Sequence, residues 1–275
     1  MDTCENESEN VKARIALLAM GMAAAMQGAP GVWAQTRGAA GDTLRLEVGA
    51  REVDGRVYKP HAALVRVRIG DPNGPVLREW TNELTLGDSA GRPVMRWVTR
   101  AKTNVGPAAG SSYVLLQTYD AITLKPLAYS STQSSGAYTR VTIDGNRVRG
   151  TRRAAGDTTV HPIDVTIDRP GYFAGASDLV PAAVGFRAGL VIVAPVWSPG
   201  MTQAETRIFT IVGKEVVDVE GTKIESWKVE ERRGDRSLYA TWWLLDESPY
   251  MVYGEVVLPD GRVQRMTEVE IRPGG

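Results

Sequence analysis

The chain has 275 residues, with 32 basic and 32 acidic side chains, two histidines and one cysteine. That balance excludes the strongly basic profile with which nucleic-acid-binding domains displace counterions from phosphate. A single cysteine excludes disulfide staples, so stability has to come from apolar burial.

The first element is a targeting signal. Residues 1–10 (MDTCENESEN) are acidic and polar and read as sequence upstream of the true start. Lys12 and Arg14 form a charged n-region, Ile15 to Met26 a short apolar h-region, and Val32 with Ala34 a small-residue cleavage pattern, so the mature protein is expected to begin at Gln35. The apolar run falls short of the roughly 20 residues that a membrane span needs. Cys4 leaves with the leader, and no cysteine follows the apolar run to carry a lipid. The expected product is periplasmic or secreted, not membrane-spanning. Residues 35–42 (QTRGAAGD) read as a flexible leader and residues 43–275 as one antiparallel β domain.

Strands follow closely. Ala63 to Ile69 alternates apolar and charged residues with period two, the pattern of a half-buried strand, and Asp71-Pro72-Asn73-Gly74-Pro75 closes a turn. Trp80, Asn82, Leu84 and Leu86 share a face of the next strand, and Pro93 to Val98 starts another. Tyr138 to Ile143 and Arg147 to Arg152 flank Asp144-Gly145-Asn146, a hairpin signal, and Val160 to Ile167 alternates again. The one predicted helix is short, with Ser177 as its cap, Asp178 at its positive end and Gly185 as its stop. Gly189 to Ala194 is an apolar, buried strand. From Thr206 to Ile271 the turns at Glu220-Gly221, Gly234-Asp235 and Pro259-Asp260-Gly261 divide a meander of long strands. The expected fold is mainly β, a large curved antiparallel sheet or open β-barrel wrapped around one short helix.

Catalytic signatures are sparse. A triad needs a histidine base; only His61 and His161 are available, no Gly-x-Ser-x-Gly elbow occurs, and neither histidine has a second at metal-ligand spacing. Asp71 with Asn73, or Asp144 with Asn146, offer oxygen ligands for calcium, but turn chemistry accounts for them better. Asp246-Glu247 and Glu230-Glu231 are adjacent and point to opposite faces, so neither pair acts as a glycosidase couple. Carboxylates converging from different strands remain a hydrolase alternative. No cofactor is expected. Arg147 and Arg149 form a candidate anion site if they share a strand face, against the plainer reading of a charged, solubilising edge strand.

Trp227, Trp242, Trp243 and Tyr253 crowd the final meander and are the candidate ligand-lining residues. Trp242 and Trp243 are adjacent and must face opposite ways, one toward the core.

Several segments in order, Ile122-Thr123-Leu124-Lys125-Pro126-Leu127, Asp178-Leu179-Val180 to Gly189, Val212 to Val216, Gly221-Thr222 to Glu230 and the Trp242-Trp243 strand, resemble domain of unknown function 3108, over roughly residues 110–272. The resemblance implies consecutive strands of an exported β-rich protein, related in shape to the LolA/LolB type of lipoprotein carrier. Its motifs are structural and not catalytic. The function expected on these grounds is non-enzymatic binding of a lipid, lipoprotein or other apolar envelope ligand in a concave sheet. The alternatives are a cell-envelope scaffold that docks a protein partner through an open edge at the Arg147 strand, and a carbohydrate-active hydrolase.

Overall fold

The structure is a computed structural model that describes residues 42–248 and 250–273; the targeting signal and all but the last residue of the flexible leader lie outside them. One large mixed sheet dominates. Eight strands run in sequence through the first part: β2 (His61–Ile69), β3 (Arg78–Ser89), β4 (Arg92–Thr103), β5 (Ser112–Asp120), β6 (Pro126–Gln133), β7 (Tyr138–Asp144), β8 (Arg147–Arg153) and β9 (His161–Thr166). A second meander comprises β11 (Val191–Trp197), β12 (Glu205–Val219), β13 (Thr222–Arg233), β14 (Leu238–Leu244), β15 (Met251–Val257) and β16 (Val263–Pro273). β16 pairs antiparallel with β2, so the last strand of the chain joins the two meanders into a single curved, unclosed sheet. Two short strands, β1 (Thr43–Arg45) and β10 (Tyr172–Phe173), add parallel to the outer edge of β11, a departure from the all-antiparallel expectation.

Local chemistry explains the hairpins. Gly91 N–H donates to Asp88 at 2.7 Å, and Gly221 N–H to Asp218 at 2.7 Å. In both turns the two central residues, Ala90-Gly91 and Glu220-Gly221, take positive φ, the geometry that matches strand twist. Alternation decides the faces. In β2, His61, Ala63, Val65 and Val67 are buried and the residues between them are not.

The segment between β9 and β11 lies on the inner face. Phe173 there touches Tyr119 of β5 (5.3 Å), Tyr129 of β6 (5.9 Å) and Trp197 of β11 (6.3 Å), bridging both meanders. A 3-10 turn at Ala174–Ala176 leads to helix α1, Leu179–Val184, buried over five of its six residues and stopped by Gly185 at φ 92°. The helix is not capped by Ser177, as the sequence suggested. Its N-cap is Asp178, without a side-chain capping bond, because the Ser177 hydroxyl donates instead to Glu231 across the interior (3.0 Å).

Candidate functional site

The predicted aromatics divide between the two faces of the sheet. β14 places Trp242 inward, where its ring lies against Gly254 of β15 and its Nε1 donates to Glu231 at 2.9 Å. Trp227 is on the same side of β13 but nearer its rim, stacked on Phe186 (5.6 Å) and donating to Asp246 at 2.6 Å. Trp243 and Tyr253 pair across β14 and β15 on the outer face, rings 5.1 Å apart, with Trp243 Nε1 donating to Glu215 at 2.6 Å. Trp243 is buried there because the β12–β13 hairpin bends back over it. The register shifts between Ile211 and Gly213, and the tip lands on β2 through Glu220, paired with Arg66 (2.9 Å) and Arg68 (3.2 Å). The four aromatics therefore do not line one surface.

Arg147 and Arg149 do share a face, as expected, but a carboxylate already serves both: Asp164 of β9 lies 2.9 Å from Arg147 and 3.7 Å from Arg149. Nor is their strand an open edge, since β8 is paired on both sides and the edge belongs to β9. Arg149 and Arg140 border an outward groove of about 510 Å³ floored by Thr118, Ser130, Thr142 and Thr151. A second groove, about 660 Å³, opens where Val184 and Phe186 at the end of α1 meet Leu44 and Leu190.

The unforeseen feature is inside. Glu231 of β13 is fully buried and accepts from Arg207 (2.9 Å), Ser177 and Trp242. Burial pushes its carboxyl up, against the pull of Arg207 and of the hydrogen bonds from Trp242, Ser177 and Arg207. Asp178 sits close enough to feel Glu231, and burial followed by that repulsion raises it to about 7. Glu268 of β16 is raised to about 8, by burial and then by Asp178. Tyr58 and Tyr119 are also raised, by burial first and then by Asp178.

Around these acids several buried polar atoms, donors as well as acceptors, have no hydrogen-bond partner among the described residues: Gln117 Oε1, Tyr119 Oη, Glu268 Oε2, Trp80 Nε1, Arg78 Nε and Arg207 Nε. Gln117 and Tyr119 occupy alternate positions of β5, and Trp80 lies opposite Val65, which in turn lies opposite Glu268. All belong to the inner face. Buried polar atoms are satisfied in the great majority of cases, so this cluster stands out in the interior. Opposite it, β11 to β14 supply the apolar half of the interior, with Val196, Phe209, Ile211, Val229 and Leu244. Converging carboxylates are thus present, as a hydrolase would require, but none of them lines either groove.

The buried acids had a legible signature, a carboxylate at an inward position of a strand: Trp227, Val229 and then Glu231, or Met266 and then Glu268. What the sequence did not reveal is that β13 and β16 face one another's acids through the segment before α1.

The family profile described as "Protein of unknown function (DUF3108)" matches residues 66–267, taking in β3 and β4 ahead of the segments that carried the resemblance. No curated protein matches. Among solved structures, a β-barrel-like protein of DUF1849 from Brucella abortus is similar with 10% identity and a TM-score of 0.47, over 82% of this chain and 99% of that one. A LolA superfamily protein from Nitrosomonas europaea is similar with 10% identity and a TM-score of 0.29, over 82% of this chain and 92% of that one. A DUF1329 family protein from Desulfovibrio piger follows with 9% identity and a TM-score of 0.32, over 83% and 94%.

Proposed function

We propose that this chain, which belongs to the DUF3108 family of unknown function, is an exported, non-enzymatic carrier or sensor that holds a lipid or other apolar envelope molecule against the inner face of its curved sheet. Export rests on the signal reading of Lys12 to Ala34. The observation that carries binding is the cluster of unpartnered polar atoms set in an apolar, aromatic interior. Ligand sites have this make-up, mostly apolar walls with a few polar groups that fix orientation. Helix α1 is the element that yields. It is one and a half turns of apolar sequence, too short to be stable alone, and beside the second groove it offers a way in.

Two other readings find less support. A hydrolase needs substrate at its carboxylates, and Glu231 is fully covered and engaged by Arg207, Ser177 and Trp242. A scaffold that adds a partner strand at β9 meets Pro162, which has no N–H to donate, and the exposed Asp164. The test is titration of the purified mature protein with N-phenyl-1-naphthylamine, a neutral apolar fluorophore. Saturable enhancement at one site per chain is expected; a linear, non-saturating response contradicts the proposal.

A further inference from the structure

The outward groove across β5 to β8 is built from two adjacent cross-strand rows. Register places Leu116, Ser130, Arg140 and Thr151 side by side in one, and Thr118, Ala128, Thr142 and Arg149 in the other. All of them border the groove, whose volume of about 510 Å³ suits a small ligand. Its charge is one-sided. Arg147, on the same face, takes both oxygens of Asp164 (3.0 and 2.9 Å), and Arg153 donates to the Gly136 carbonyl at 2.9 Å. Arg149 stands 3.7 Å from Asp164 without a hydrogen bond to it, and the Arg140 guanidinium lies over the Tyr138 ring at 5.2 Å. The other carboxylate on this face of β7 to β9, Asp144, lies opposite Arg147 at the hairpin end, outside the groove. Among the described residues, the guanidinium donors of Arg140 and Arg149 and the hydroxyls of Thr118, Ser130 and Thr151 carry no hydrogen bond, while Thr142 donates to the Arg149 carbonyl at 3.4 Å.

We infer that this groove is an oxyanion site, with Arg140 and Arg149 as its cations, for a phosphate monoester carried on a polyol or sugar. Diagonal neighbours on adjacent strands lie about 7–8 Å apart, so two long guanidinium side chains can close on one phosphate, each with paired N–H donors that match its oxygens. The ligand's own hydroxyls meet Thr118, Ser130 and Thr151, and Leu116 and Ala128 offer aliphatic surface to its carbon skeleton. A phosphate is favoured over a neutral polyol because only the anion offsets two like charges held on neighbouring strands. The site is on the outer face of the sheet and stands independently of the interior binding reading.

The experiment is calorimetric titration of the purified mature protein with glycerol 3-phosphate at low ionic strength, with glycerol as the uncharged control. One saturable site per chain is expected for the phosphate and none for glycerol, with affinity falling as salt is added. Arg140→Gln and Arg149→Gln should each weaken binding about tenfold. Arg152→Gln, which removes the same charge from the other face of β8, should leave it within about twofold. All three positions are exposed, so the variants are expected to fold, and the urea midpoint of each checks that they do. Phosphatidylcholine vesicles containing phosphatidic acid distinguish the source of the phosphate. Co-sedimentation that Arg140→Gln and Arg149→Gln abolish assigns a lipid head group; glycerol 3-phosphate binding without co-sedimentation assigns a soluble ester. Absence of saturable phosphate binding overturns the site, and so does binding that the two groove variants leave unchanged or that Arg152→Gln weakens equally.

Discussion

Asp178 and Glu268 each exchange a solvated carboxylate for a buried carboxyl on folding, so the folded state holds protons that the unfolded chain releases. Asp178 goes from 3.8 to about 7 and Glu268 from 4.5 to about 8. With folded pKa values above unfolded ones, their contribution is fully present below about pH 4 and is lost as pH rises toward 8. The unfolding free energy from urea titrations is therefore expected to fall between pH 5.5 and 8.5, by an amount on the order of a few kcal/mol that the coupling of the two groups keeps below their sum. Glu268→Gln should flatten that slope, and an unchanged slope would contradict the placement of Glu268. Arg207→Met leaves Glu231 buried without its cation and is expected to cost about 3–5 kcal/mol in chemical denaturation. Trp242→Phe removes the donor to Glu231 together with part of the buried ring packed on Gly254, and should cost at least about 1–3 kcal/mol.

Two close approaches within the sheet depend on glycine. A Cβ on Gly254 would fall 2.8 Å from the Trp242 ring, so Gly254→Ala has to push the indole off the β15 backbone, at about 1–3 kcal/mol by thermal or urea unfolding. A Cβ on Gly150 would overlap the Arg140 carbonyl oxygen, and Gly150→Ala should be at least as damaging. The strands flanking these positions were legible from their turns, Asp144-Gly145-Asn146 for one pair and Pro259-Asp260-Gly261 for the other, and not from alternation in β14, which is buried on both faces. β1 and β10 were not, since strands of three and two residues have no period to read. The helix was found, but its cap was misplaced. Ser177 has the chemistry of an N-cap, and only its position beneath Glu231, 54 residues away in sequence, diverts the hydroxyl.

Across the whole molecule, the pairing of β16 with β2 builds the interior, and nothing local announces it. Met266 lies opposite Val67 and Glu268 opposite Val65, partners about 200 residues apart whose apolar patterns would suit many registers. The same pairing brings Glu268 to the side of the sheet where Asp178 and Glu231 lie, which is why the final meander's aromatics were visible in sequence and its buried acids were not read together. The central claim is that this interior holds a lipid or other apolar molecule. Native mass spectrometry of the mature protein purified from its own cell envelope, followed by organic extraction, tests it most directly. The account predicts a near-stoichiometric bound species that is a lipid or other largely apolar molecule. Folded protein recovered at its bare polypeptide mass, with nothing in the extract, would contradict it.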